Sequence, residues 1–322
     1  MPAPRILLVK LSSLGDVVHL LPAVTDLAEA VPGADIAWAV EPPYAELVRL
    51  HPAVGRTIPV ALRALRDRPL SAAAWRSLRA SRAALRASRW DYVVDAQGLV
   101  KSGCVARWAR SIAFGPDRAS ARERLAARFY DVGIRVPRDL HAVERNRILL
   151  GAVFGYAPRP PARYGLAPPS QRPSWAPEGR YAVLLHAASR ADKRWTRERW
   201  VELGRRLVAD GHALVLPGGS EAERSEAARL AHSIGEGATA APPMTLPEAA
   251  SLLAHAAGVV GVDTGLTHLA VALGVPTVGI YCATSPRLTG LHGEAAVNLG
   301  GRGTPPTVEA VAQAAGIGSA VA

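Results

Sequence analysis

Lysine is nearly missing from this chain: Lys10, Lys101 and Lys193 are the only three among 38 lysines and arginines. Where arginine serves almost everywhere, the remaining lysines mark places that need a compact ammonium with three rotatable donors, which a planar guanidinium does not reproduce. Each lies in a segment rich in other polar groups, at Lys10–Asp16, Asp95–Ser102 and Ser189–Trp195. Chance survival on the surface is the plain alternative for any one of them. Cysteine is scarce too. Cys104 and Cys282 permit no disulfide framework, no zinc-ligand spacing occurs, and a reducing compartment is expected. No apolar run is long enough to span a bilayer, and the apolar N-terminus, interrupted by Lys10 and Asp16, has no cleavage site after it. A soluble cytosolic protein is expected. Aromatic residues make up only 5%, and no helix-turn-helix, OB or RRM signature accompanies the net charge of +11. That argues against a nucleic-acid module and leaves another anionic partner, a nucleotide or an acidic membrane surface.

Apolar residues, at 49% of 322 positions, are enough to fill two cores. Prolines 158, 160, 161, 168, 169, 173 and 177 exclude helix and central strand, so residues 157–177 are expected to link a domain at 1–156 to one at 178–322. On both sides short β-branched runs alternate with helical stretches. The strands expected are Arg5–Val9, Asp35–Val40, Arg56–Val60, Asp91–Asp95 and Ser111–Phe114, then Tyr181–His186, His212–Pro217, Val259–Val262 and Pro276–Tyr281. Helices are expected at Asp16–Ala30, Arg197–Asp210 and Glu221–His232. The fold class that follows is α/β, two doubly wound Rossmann-like domains facing across a cleft, with ligands beyond the carboxyl ends of the strands. A helix from Ser71 to Ser88 would place arginines 76, 79, 82 and 86 on one face, continued by Arg89. Its alanines and serines would lie opposite, with Trp75, Leu78 and Leu85 near the border. The arginine side is either a binding face or a solvated one.

Chemistry clusters after the strands. Lys10-Leu11-Ser12-Ser13-Leu14-Gly15-Asp16 is a strand-to-helix turn with one glycine rather than the three of a dinucleotide fingerprint, which removes most support for a nicotinamide oxidoreductase. Asp16 either faces a ligand or caps its helix. Asp95-Ala96-Gln97-Gly98, with Lys101 and Ser102 beyond, offers amide, ammonium and hydroxyl groups to a polyhydroxylated anion, or is an ordinary polar turn. Val262-Asp263-Thr264-Gly265-Leu266-Thr267-His268 runs from strand to helix, and backbone N–H groups there with the Thr264 hydroxyl suit a phosphate. An aspartic protease would need two such loops on β-rich domains. His268 is a site residue or a satisfied core histidine. Ser189 and Lys193 follow another strand, with Lys193 placed for a diphosphate. Glu223 is a ribose contact or a first-turn acid favoured by the helix dipole. No Asp-x-Asp occurs, so no metal ligand set is expected and Lys193 with helix N-termini would neutralise a leaving diphosphate.

Taken together, five blocks resemble the bacterial lipopolysaccharide heptosyltransferases of glycosyltransferase family 9 along nearly the whole chain. They are Val-Lys-Leu-Ser-Ser-Leu-Gly-Asp at 9–16, Asp-Ala-Gln-Gly-Leu-Val-Lys-Ser at 95–102, His-Ala-Val-Glu-Arg-Asn-Arg at 141–147, Asp-Lys-Arg-Trp at 192–195 and Val-Asp-Thr-Gly-Leu-Thr-His-Leu at 262–269. The second and third look like the type I branch, with type II ranked below. The resemblance implies a GT-B fold and inverting, metal-independent, cofactor-free transfer of L-glycero-D-manno-heptose from ADP-heptose to the inner Kdo of Kdo-lipid A. It implies Asp16 as base, Lys193, Thr264 and Gly265 on the diphosphate, and Ser189, Glu223, Asp263 and His268 at the donor. Ser12, Ser13, Gln97 and Lys101 would meet the acceptor, as would Arg63, Arg66 and Arg122. The stretch Leu62–Arg66 is sparser in arginine than the family pattern. The partners implied are the nucleotide sugar, the anionic lipid and the cytoplasmic face of the inner membrane, met by a monomer that binds no nucleic acid.

Overall fold

Apolar β-branched runs set the frame, because a strand buried on both faces needs no alternation. The computed structural model describes residues 3–316; residues 1, 2 and 317–322 of the expected domains lie outside the described residues. The chain forms two compact units, one up to Ala167 and one from Pro168. The first unit holds β1 (Arg5–Val9), β2 (Asp35–Val40), β3 (Val54–Pro59), β4 (Tyr92–Asp95), β5 (Ala113–Pro116) and β6 (Val132–Ile134) in one sheet ordered β3-β2-β1-β4-β5-β6. The second holds β7 (Tyr181–Leu185), β8 (Ala213–Leu216), β9 (Ala238–Ala240), β10 (Gly258–Val262), β11 (Thr277–Tyr281) and β12 (Ala296–Gly300), ordered β12-β11-β10-β7-β8-β9. Every ladder pair is parallel. Renumbered within its own unit, each sheet has the same doubly wound order. Each therefore reverses direction once, between β1 and β4 in the first and between β7 and β10 in the second, and such a reversal opens a crevice at the strands' carboxyl ends.

In the first core Leu7 and Val9 of β1 pack with Ala37, Ala39, Val93 and Val105. In the second, Leu184, Val260 and Val262 pack with Trp200, Leu203 and Leu230. Gly261 matters for close approach: a Cβ there would collide with Thr267 Oγ1 and Leu185 Cβ, so the helix after β10 packs tightly on its strand only because this position is bare.

Several sequence expectations shift. The helix expected at Asp16–Ala30 is two helices, Leu14–Val18 and Leu21–Ala30, because Pro22 cannot donate to the carbonyl four residues back and its ring clashes there. The helix expected at Ser71–Ser88 runs Ala72–Arg86, capped by Ser71 Oγ on Ala74 N–H at 3.3 Å. It buries Ala74, Ser81 and Leu85, so Leu85 belongs to the core rather than the border. The proline-rich connection is not a free linker: Arg159 O accepts from the buried Arg147 guanidinium at 2.5 Å and Ala167 N–H donates to Leu50 O at 2.8 Å, whereas Gln171 O accepts from Ser251 Oγ in the second unit. Among the described residues no helix is long and apolar enough to cross a membrane.

Candidate active site

At the switch point of the first sheet, the segments after β1 and β4 lock together. Gln97 works as a two-ended clasp: its Oε1 accepts Leu11 N–H at 2.7 Å and its Nε2 donates to Ser12 O at 2.8 Å. Asp95, at the end of β4 and fully buried, holds the turn that aims Gln97, accepting Gln97 N–H at 2.7 Å, Gly98 N–H at 3.3 Å and the Tyr130 hydroxyl at 2.7 Å. Burial pushes its carboxyl upward, against those hydrogen bonds. Gly98 takes a left-handed φ of 69°, and Gly98 O accepts Glu123 N–H at 3.0 Å. That contact brings Arg122 alongside, where its Nη1 stands 3.5 Å from Asp16 Oδ2.

Asp16 is not the N-cap of its helix; Ser13 is, and Asp16 sits in the first turn. Its Oδ2 accepts from Ser13 N–H at 3.1 Å and Ser13 Oγ at 3.2 Å. Burial would raise its carboxyl, but the charges of Lys10 and Arg122 and the two Ser13 bonds outweigh that and hold it below the ordinary range. Its side chain is still 28% exposed, so an incoming hydroxyl can reach it. Lys10 is buried beneath, donating to Ala96 O at 2.6 Å and Asn146 Oδ1 at 3.2 Å. Burial pulls its ammonium down to about 8, against the raising effect of Asp16 and Asp95. Lys101 Nζ donates to Ser12 Oγ at 3.3 Å. Thus Ser12, Ser13, Asp16, Gln97, Lys101 and Arg122 converge. The backbone N–H of Arg63 donates to the buried Glu41 carboxylate at 3.1 Å, and Arg63 itself is exposed. Arg66 does not join: its guanidinium turns to Asp67 at 2.9 Å on the exposed side of its helix.

The switch point of the second sheet carries a different constellation. Asp263, at the end of β10, accepts from Lys193 Nζ and Thr284 Oγ1, each at 2.7 Å, and lies 3.5 Å from His268 Nε2. Burial would raise its carboxyl, yet the His268, Lys193 and Thr284 contacts hold it far below the usual carboxylate range. Thr264 caps the helix Gly265–Ala272 without spending its side chain, which leaves its hydroxyl and the first N–H groups of that helix available to an anion. His268 is buried, and beside Asp263 it belongs to the site as well as to the core. Glu223 takes the capping role: Oε2 accepts Gly219 N–H at 2.9 Å and Ser220 N–H at 3.0 Å. Glu223 and the exposed Ser189 both line a cavity of about 520 Å³ beside His186, Arg194 and Trp195. Among the described residues no three His, Cys, Asp or Glu side chains group as a metal ion would need.

Thr284 and Tyr130 come from loops without a motif of their own and carry no sequence signal. Asn146 and Asp95 lie within the motif blocks at 141–147 and 95–102, where spacing alone does not show what they bond.

A family model for glycosyltransferase family 9 (heptosyltransferase) matches residues 78–315. The chain is 43% identical over 301 residues to lipopolysaccharide heptosyltransferase 1 of Pseudomonas aeruginosa, covering 92% of this chain and 83% of that relative. It is 42% identical over 292 residues to the Escherichia coli K12 protein of the same name, covering 90% and 91%. Among solved structures, E. coli heptosyltransferase WaaC with ADP-2-deoxy-2-fluoro heptose is similar with a TM-score of 0.87 at 40% identity, over 96% of this chain and 98% of that one. A structure of E. coli ADP-heptose LPS heptosyltransferase II shares the fold, with a TM-score of 0.76 at 21% identity over 96% and 97%.

Proposed function

The chain belongs to glycosyltransferase family 9, the heptosyltransferases, and from that premise we propose that it transfers L-glycero-D-manno-heptose from ADP-heptose to the inner Kdo sugar of Kdo-lipid A, with inversion and without a metal. The identity to relatives named heptosyltransferase 1 and the likeness to a structure holding an ADP-heptose analogue support donor and branch. Type II rests on fold likeness alone.

The observation that carries the mechanism is Asp16: a carboxylate kept ionised by Lys10 and Arg122 yet open on one side. A sugar hydroxyl is a poor nucleophile until a base takes its proton. The Kdo hydroxyl gives its proton to Asp16 while its oxygen bonds to the anomeric carbon of the heptose. The bond from that carbon to the diphosphate oxygen breaks on the opposite face, and ADP leaves with the electron pair. Lys193, steered by Asp263, and the helix start at Thr264-Gly265 meet the charge that develops on the diphosphate. Ser189, His268 and Glu223 complete the donor side, Glu223 offering Oε1 to the ribose. Gln97, Lys101, Ser12, Ser13, Arg63 and Arg122 orient the anionic acceptor. Arg66 would have to leave Asp67 to take part. The protein works as a monomer in the cytoplasm, held peripherally at the inner membrane.

The test is incubation with ADP-heptose and de-acylated Kdo-lipid A, with and without EDTA, reading ADP release and product mass. Acceptor-dependent release with a gain of one heptose, unchanged by EDTA, is expected. Transfer only to an already heptosylated core would move the protein to type II, and loss of activity in EDTA would overturn metal independence.

A further inference from the structure

The first unit carries a surface that the transfer chemistry leaves unused. Between the helices Leu62–Asp67 and Ala72–Arg86 the chain turns through Arg68, Pro69, Leu70 and Ser71. Leu70 is 97% exposed, and Trp75, just inside the second helix, is 45% exposed. The Trp75 ring is not loose: its Nε1–H donates to Pro69 O at 2.8 Å, which fixes the indole against the turn. Trp75, Arg79 and Arg82 recur at helical spacing and share one face, beside the stripe of Ala74, Ser81 and Leu85 that is buried. Arg68, Arg76, Arg79 and Arg82 are all exposed. From residue 60 to residue 90 the only carboxylate is Asp67, already paired with Arg66.

A single exposed leucine needs no explanation. A leucine at a turn, a tryptophan braced beside it and a field of arginines with one acid is a different object. It has the apolar tip and cationic flank that settle into the boundary between anionic head groups and acyl chains. A nucleic acid would use the arginines but gain nothing from Leu70.

We propose that the Arg68–Ser71 turn and the Trp75/Arg79/Arg82 face dock the enzyme on an anionic lipid bilayer, with Leu70 and Trp75 entering the head-group layer. The proposal rests on the reading that the acceptor is a lipid, and it gives that reading a surface separate from the reacting groups. Arginines hold the protein at the membrane by attraction that salt screens, and the two apolar side chains add a contact that salt does not weaken.

Co-sedimentation with vesicles decides it. The wild-type chain, Leu70→Asp and Arg79→Glu/Arg82→Glu are compared on phosphatidylglycerol/phosphatidylethanolamine vesicles and on phosphatidylcholine vesicles, each variant matched to the parent by thermal melting. Binding to the anionic vesicles only is expected, weakened about fivefold by Leu70→Asp and on the order of tenfold or more by the double reversal. Transfer to de-acylated acceptor in solution should be unchanged in all three, whereas transfer to Kdo-lipid A embedded in vesicles falls with binding. Equal binding by the variants, or equal binding of the parent to phosphatidylcholine, overturns the proposal. So does salt-sensitive DNA binding that the arginine reversals abolish while Leu70→Asp leaves vesicle binding intact. A parent inactive on soluble acceptor would sink the transferase reading alone, since the vesicle arms are scored without turnover.

Discussion

The two switch points stand on sheets of the same strand order, yet they treat their central carboxylate in opposite ways. Asp16 is 28% exposed and accepts from Ser13 in its own turn and, at 3.5 Å, from Arg122, 106 residues away in the chain. Asp263 is 11% exposed and is met by Lys193, Thr284 and His268, from 70, 21 and 5 residues away in the chain. Both are held ionised, but by different means. Asp16 owes this mainly to nearby charge and keeps an open side, which suits a group that must accept a proton. Asp263 is occupied by donors and acts as an anchor that fixes where an ammonium points. The same scaffold thus carries two ionised carboxylates, one left open on one side and one enclosed by its donors.

Breaking the open carboxylate should have the largest effect. Asp16→Asn is expected to lower kcat by roughly 10³-fold or more with ADP affinity and melting temperature unchanged. Turnover within tenfold of the parent would remove Asp16 as base. Lys193→Ala should cost on the order of 10²-fold in kcat/KM for the donor, and Lys193→Arg should restore little, because a guanidinium does not reproduce a single ammonium between Asp263 and a diphosphate. Full rescue by arginine would show that charge alone suffices.

Lys10→Met sharpens the comparison through pH. In the proposed mechanism Asp16 reacts as the carboxylate, so activity is present above its pKa and lost as pH falls through it. Lys10 favours the carboxylate, hence removing its charge raises that pKa, and the acid limb of kcat/KM should move up by about one pH unit. An unmoved limb would assign the effect to Arg122 and Ser13. The smallest effect belongs to Thr284→Val, which deletes one of three contacts to Asp263. A rise of about fivefold in donor KM is expected, and a change as large as that of Lys193→Ala would mean that Thr284 touches the donor itself.

The central strands could be read from sequence because burial on both faces writes a continuous apolar run, as in Arg5–Val9. β6, β9 and β12 could not. They close three of the four sheet edges, and Val-Gly-Ile, Ala-Thr-Ala and Ala-Val-Asn-Leu-Gly carry no such run. The polar segments after β1, β4, β7 and β10 stood out because each interrupts an apolar pattern. What remained hidden were partners supplied from elsewhere: Tyr130 for Asp95, Asn146 for Lys10 and Thr284 for Asp263 are joined by topology rather than by spacing. Arg66 is the converse case, paired locally with its neighbour Asp67.

The Gln97 clasp has a consequence of its own. By accepting from one backbone group and donating to the next, its amide behaves as a surrogate peptide unit, a rung made of side chain that extends the sheet beyond the last true rung of β1. A carboxylate could fill only half of that rung and would set its charge against Ser12 O. An amide carries no charge to gain or lose across the working pH range, so this rung takes no part in the titration of Asp16 and Lys10 around it. The pH profile of this enzyme therefore reports the carboxylates and the ammonium around the rung and not the rung itself.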